Sequence, residues 1–133
     1  MIIQFIVCAQ NVSVDRFTNK LSIFNVIDRI VAPSLPLWIS ELTVAASFLR
    51  EGDEPIDYVG SIELALNHTP IVKTEVRGTF RHGPTSRMIV NFPGLPIQST
   101  GLLSVTFALS GVKSWIYLIP VEPVPTQKST GDS

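Results

Sequence analysis

Cysteine, histidine and charge are all scarce in this chain of 133 residues, and each shortage removes a class of function. The single cysteine, Cys8, has no partner for an internal disulfide. It stands in the apolar run Phe5-Ile6-Val7-Cys8-Ala9, without a nearby base to lower its pKa, so it reads as a small buried hydrophobe rather than a reactive thiol. The two histidines, His68 and His82, are fourteen residues apart and lack cysteine company, so neither a metal nor any other cofactor is expected. Walker loops, dinucleotide glycine fingerprints and nucleophile elbows are missing, which leaves nucleotide enzymology without support.

Charged residues make up 16% of the chain, against about 25% in ordinary soluble domains, so much of the surface must be apolar or small and polar. That shortage favours a partner or a homodimer over a heavily solvated monomer. Ten basic residues against eleven acids give a net charge of -1, which removes the broad attraction on which nucleic-acid binding rests. The apolar start, Met1 to Val7, has no basic leader and ends at Gln10-Asn11, too soon for a membrane span, so a cytoplasmic protein is expected. Asn11 and Asn67 head glycan-acceptor patterns, but without a leader they read as turn or strand-end residues.

Ten prolines interrupt the chain, and between them no apolar period of 3.6 persists, so helix is scarce. Alternation of Val, Ile, Thr, Phe and Tyr predicts eight strands instead, near 2–9, 21–31, 38–49, 57–67, 71–81, 87–92, 102–109 and 112–121. The fifth is the clearest, with Val72, Thr74, Val76, Gly78 and Phe80 on one face and Lys73, Glu75, Arg77, Thr79 and Arg81 on the other. In the seventh, Leu103, Val105, Phe107 and Leu109 oppose Ser104, Thr106 and Ser110. Ser110-Gly111 then predicts a tight two-residue turn into the eighth. The first and eighth strands are apolar on both sides, which fits either double coverage or a face kept for another chain.

Short strands joined by Gly, Pro, Asn and Asp turns point to an all-β fold, a two-sheet antiparallel β-sandwich of immunoglobulin-like or jelly-roll type with 7–8 strands. One domain over 1–121 is expected, followed by a disordered tail over 122–133 that has lost its large apolar residues.

Three features stand out as candidate surfaces. Lys73, Arg77, Arg81 and Arg87, around the run Arg81-His82-Gly83-Pro84-Thr85-Ser86-Arg87, concentrate four of the ten basic side chains and suit a phosphate, a carboxylate or an acidic partner loop. Asp28 and Arg29 interrupt an otherwise apolar strand, where alternation sends one of them toward a covered surface that needs a partner charge. Trp115 and Tyr117 mark the outer face of the last strand.

Lys20 to Pro33, following an N-terminal strand and Val14-Asp15, resembles a family of small uncharacterised bacterial β-sandwich proteins. So does Val90-Asn91-Phe92-Pro93-Gly94-Leu95-Pro96, with the Gly101-led strand and hairpin into Leu118-Ile119-Pro120-Val121. The resemblance implies the sandwich fold and a bacterial cytoplasmic origin, and it carries no activity. The reading that results is a non-enzymatic protein-interaction module binding a protein partner or itself through the Trp115 and Tyr117 face or an edge strand. The alternatives are a small-ligand or carbohydrate binder stacking on Trp38, Trp115 or Tyr117 near Asp15, Asn91 or Gln98, and a hydrolase pairing Asp28 with His82.

Overall fold

The computed structural model describes residues 1–109 and 113–125. The chain forms β1 (Ile2–Val14), β2 (Leu21–Val26), β3 (Ile30–Ala32), β4 (Leu37–Leu49), β5 (Asp57–Leu66), β6 (Thr69–Thr79), β7 (Thr85–Ile97), β8 (Gly101–Leu109) and β9 (Lys113–Pro123). They make two sheets, one four-stranded in the order β2-β1-β4-β7 and one five-stranded in the order β3-β9-β8-β5-β6. The first sheet is antiparallel throughout, whereas β3 joins β9 in parallel, so the second is mixed rather than purely antiparallel. Among the described residues no helix is long and apolar enough to cross a membrane.

The core lies between the sheets. Leu42, Val44, Ala46 and Phe48 of β4 meet Ile62 and Leu64 of β5, Leu103, Val105 and Phe107 of β8 and Ile119 of β9, all nearly inaccessible to solvent. The Phe48 ring sits at its centre, 4.8 Å from Phe107, 5.3 Å from Trp115 and 6.0 Å from Tyr58, spacings at which aromatic pairs attract. Cys8 is wholly buried in the same core, as its apolar run predicts.

Four expectations are corrected. The strand placed over 21–31 is two strands in different sheets, because the chain leaves β1 after Val26 and rejoins at Ile30 beside Val121. Asp28 and Arg29 therefore lie in a sheet-to-sheet crossing where both are exposed, and neither charge points at a covered surface. The strand ended at Phe92 runs on to Ile97 through Pro93 and Pro96, which β7 tolerates because it is an edge strand with pairing only to β4. At Gly94, with φ 68°, β7 changes face, so that Phe92 before it and Leu95 after it both reach the core. Finally, β9 continues to Pro123, past the expected domain end at Val121. The turn at Ser110-Gly111 and the tail from 126 onward lie outside the described residues.

The β5–β6 hairpin turns on Asn67 and His68, with φ of 49° and 69°, the pair of positive angles that a type I′ turn needs and that asparagine accepts well. Asn67 is further held by the backbone N–H of Leu102, which donates to its Oδ1 at 2.9 Å. Its own amide donates to the Thr100 carbonyl at 2.9 Å.

Candidate interaction surfaces

β6 closes one sheet and β7 closes the other, and no ladder joins them although they follow each other in the chain. Each leaves a row of backbone donors and acceptors on its outer side without a strand partner. Tyr58 bridges the two edges from inside. Its ring covers Gly78 so closely that a Cβ there would stand 2.1 Å from the ring. Its hydroxyl lies 2.8 Å from that of Ser86 on β7.

Between these edges runs a cleft. Its smaller part, about 370 Å³, is lined by Glu75, Val76 and Arg77 of β6 and by Arg87, Met88 and Ile89 of β7, among others. Its larger part, about 530 Å³, shares Arg77 and Arg87 and adds Gln4, Asn19, Ser47 and His82. Arg87 donates from Nη2 to the Asn19 carbonyl at 3.2 Å, and no carboxylate lies within ion-pair distance of it among the described residues. Arg77 pairs with Glu75 at 3.2 Å and Arg81 with Asp57 at 3.4 Å, both pairs exposed. Lys73 faces Glu63 across the β5–β6 ladder. Of the four basic residues singled out in the sequence, the structure thus gathers Arg77 and Arg87 in one cleft and sets Lys73 and Arg81 against acids outside it.

The contact with Asn19 has a topological cause. Arg87 pairs through Ser47 with Phe5, and nine residues of extended β1, roughly 30 Å, separate Phe5 from Val14 at the hairpin tip. For Asn19 to touch Arg87, the β1–β2 hairpin must bend back over the four-stranded sheet. Leu21 then lines the same recess as Phe5. Phe5, Val7, Val12 and Ile23 are half-buried yet stand outside the main core, as expected of a second, smaller contact under this arm. Asp15 shapes the tip by accepting the backbone N–H groups of Phe17 at 2.8 Å and Thr18 at 2.9 Å, which lower its pKa.

A different surface covers the outside of the five-stranded sheet. Ile116 (61% exposed), Leu118 (54%) and Leu102 (48%) stand together there with Pro120, while Thr106 and Ser104 face Ile116 and Leu118 in register. Val31 of β3 adds a further exposed apolar side chain. Arg29 Nε meets Glu122 Oε1 at 2.6 Å beside it, so the charge beside Asp28 forms a polar rim and not a buried pair.

Trp115 and Tyr117 point the other way, inward. Trp115 packs on Phe48 and Phe107, and the Tyr117 hydroxyl donates to the Ile27 carbonyl at 3.2 Å, its pKa raised mainly by burial. A two-residue turn at Ser110-Gly111 would have set Trp115 opposite Thr106, on the wet face. The observed register pairs Leu109 with Lys113, places Trp115 opposite Phe107, and brings Ile116 to Thr106. A one-residue slip exchanges the faces of a strand. The signal that finds Ile116 and Leu118 is therefore register, which neither strand's own alternation supplies.

The remaining candidates do not converge. Asp28 and His82 sit beside opposite edge strands, β3 and β6, of the five-stranded sheet. His68 and His82 occupy opposite ends of β6, and no three described His, Cys, Asp or Glu residues gather as metal ligands. Trp38 is 66% exposed and lies against Gly94, apart from Trp115 and Tyr117. A recess of about 250 Å³ beside Met1 is lined by Glu54, but that carboxylate is engaged by the Met1 ammonium, which lowers its pKa.

Residues 4–122 match DUF6941, a family of unknown function. The chain belongs to that family. The match reaches into every strand and includes both surfaces described above, so the cleft and the apolar face lie within the DUF6941 domain. No curated protein matches the chain.

Proposed function

We propose that this DUF6941 chain is a non-enzymatic, cytoplasmic protein-interaction module that self-associates through the outer face of β8 and β9. One observation carries the reading. Ile116 and Leu118 are more than half exposed, and Leu102, 48% exposed, adjoins them on the same face, so three large aliphatic side chains form one contiguous apolar patch on neighbouring strands. An apolar centre beside the Arg29–Glu122 rim has the layout of a protein interface, where a dry middle supplies affinity and a polar margin supplies register.

Size-exclusion chromatography with light scattering tests this. The wild-type chain is expected at twice its 14.6 kDa mass at micromolar concentration. Ile116→Glu with Leu118→Glu is expected to weaken association at least about a hundredfold, since each buries an unpaired charge. A wild-type monomer at every concentration tested would refute self-association. A second reading, a stacking site for a sugar or other small ligand, has Trp38 in its favour, whose indole lies exposed over Gly94.

A further inference from the structure

We infer that the cleft between β6 and β7 binds an extended acidic peptide segment of a partner protein, which adds to the open strand edges and places its carboxylates on Arg77 and Arg87. The inference rests on the broad reading of the chain as a binding module, but it uses a different surface from the apolar face of β8 and β9.

Three observations lead to it. Arg77 and Arg87 line both recesses, so one ligand lying across them meets both guanidiniums. The cleft is bordered by two edge strands, β6 and β7, whose outer backbone groups have no strand partner and can satisfy an incoming extended chain, while β1, β4 and the β1–β2 hairpin line the rest of its larger part. Its charge is one-sided. Arg77 and Arg87 line the larger part, where no carboxylate does, and the smaller part contributes only Glu75, which already pairs with Arg77.

The two guanidiniums come from opposite walls, so a segment running along the cleft passes between them. Alternate side chains of an extended peptide project to the same side about 6.6–7 Å apart, which lets two acidic residues on one face serve the two arginines in turn. A compact anion would use the arginines and leave the strand edges empty. Duplex nucleic acid is disfavoured, since it needs a broad positive surface and the chain's net charge is -1.

The full chain is titrated against a fluorescein-labelled Glu-Val-Glu-Val-Glu peptide, read by anisotropy. Three comparisons run beside it: a Lys-Val-Lys-Val-Lys peptide, an acidic peptide with proline at the valine positions, and competition by inorganic phosphate. Saturable binding of the first peptide is expected, with at least about tenfold weakening by Arg77→Glu plus Arg87→Glu. Glu75→Gln is expected to tighten it, by releasing Arg77. The proline peptide should bind far more weakly, since it lacks the N–H groups that strand addition needs. Ile116→Glu with Leu118→Glu should leave the titration unchanged whether or not it dissolves a dimer, which separates this inference from the self-association reading. Absence of binding, equal binding of the lysine or proline peptide, indifference to the arginine substitutions, or full displacement by millimolar phosphate would each overturn it.

Discussion

At the residue scale, the contact among Tyr58, Gly78 and Ser86 shows how a small residue permits a larger one to act. Glycine at 78 leaves room for a phenol ring to lie across β6 and reach β7, and the hydroxyl pair at 2.8 Å then links two sheet edges that no backbone ladder joins. Tyr58→Phe removes one partner and leaves the buried Ser86 hydroxyl without this bond, so a loss of about 1–2 kcal/mol is expected in urea unfolding. Gly78→Ala is expected to cost more, about 2–3 kcal/mol, because its methyl group displaces the whole ring and the hydrogen bond with it. The alternation of the fifth strand in sequence places Gly78 on the apolar side, but nothing in that alternation names Tyr58 as what fills the space. Their meeting depends on the Tyr58–Gly78 register of two strands.

At the scale of elements, the sequence was most legible where one strand face is wet. β5, β6 and β8 fall within a residue or two of the expected spans, since alternation there reports the water boundary directly. It was least legible where a strand changes neighbours. The apolar stretch from Leu21 to Val31 reads as one strand, but its first part pairs with β1 and its last two residues, Ile30 and Val31, with β9. Pro93 reads as the end of a strand because proline usually ends a ladder, whereas β7 is an edge strand with one side that needs no donor. Gly94 is the hinge of that strand. With φ 68° and the Trp38 ring where a side chain would go, 2.9 Å from an added Cβ, Gly94→Ala should cost about 1–3 kcal/mol and disturb the Leu95 and Ile97 end of β7 more than its start. Thermal unfolding measures the first effect, and amide hydrogen exchange along β7 measures the second.

At the scale of the whole molecule, burial of the core has a pH signature. Burial pushes the Cys8 thiol from 9.0 up to about 12, so the folded protein keeps it protonated where the unfolded chain ionises. Stability from this group is complete below pH 9.0 and is lost as pH rises toward 12, by up to about 1.4 kcal/mol per unit. Raised pKa values at Tyr58 and Tyr117 act in the same direction at higher pH, so the test is a comparison. Cys8→Ala should show a shallower alkaline fall in unfolding free energy than the wild type, and equal slopes would contradict it. Composition and alternation by themselves determined the all-β class, the single core and the inward Cys8, because burial parity is a local property that a strand carries wherever it packs. Only the tertiary structure decided that Trp115 faces in and Ile116 out, that Asp28 and Arg29 stand in solvent, and that Arg77 and Arg87 share a cleft while Lys73 and Arg81 do not. Each of those depends on register or on which sheet a strand joins. Such choices are made between segments far apart in the chain, and neither segment encodes them alone.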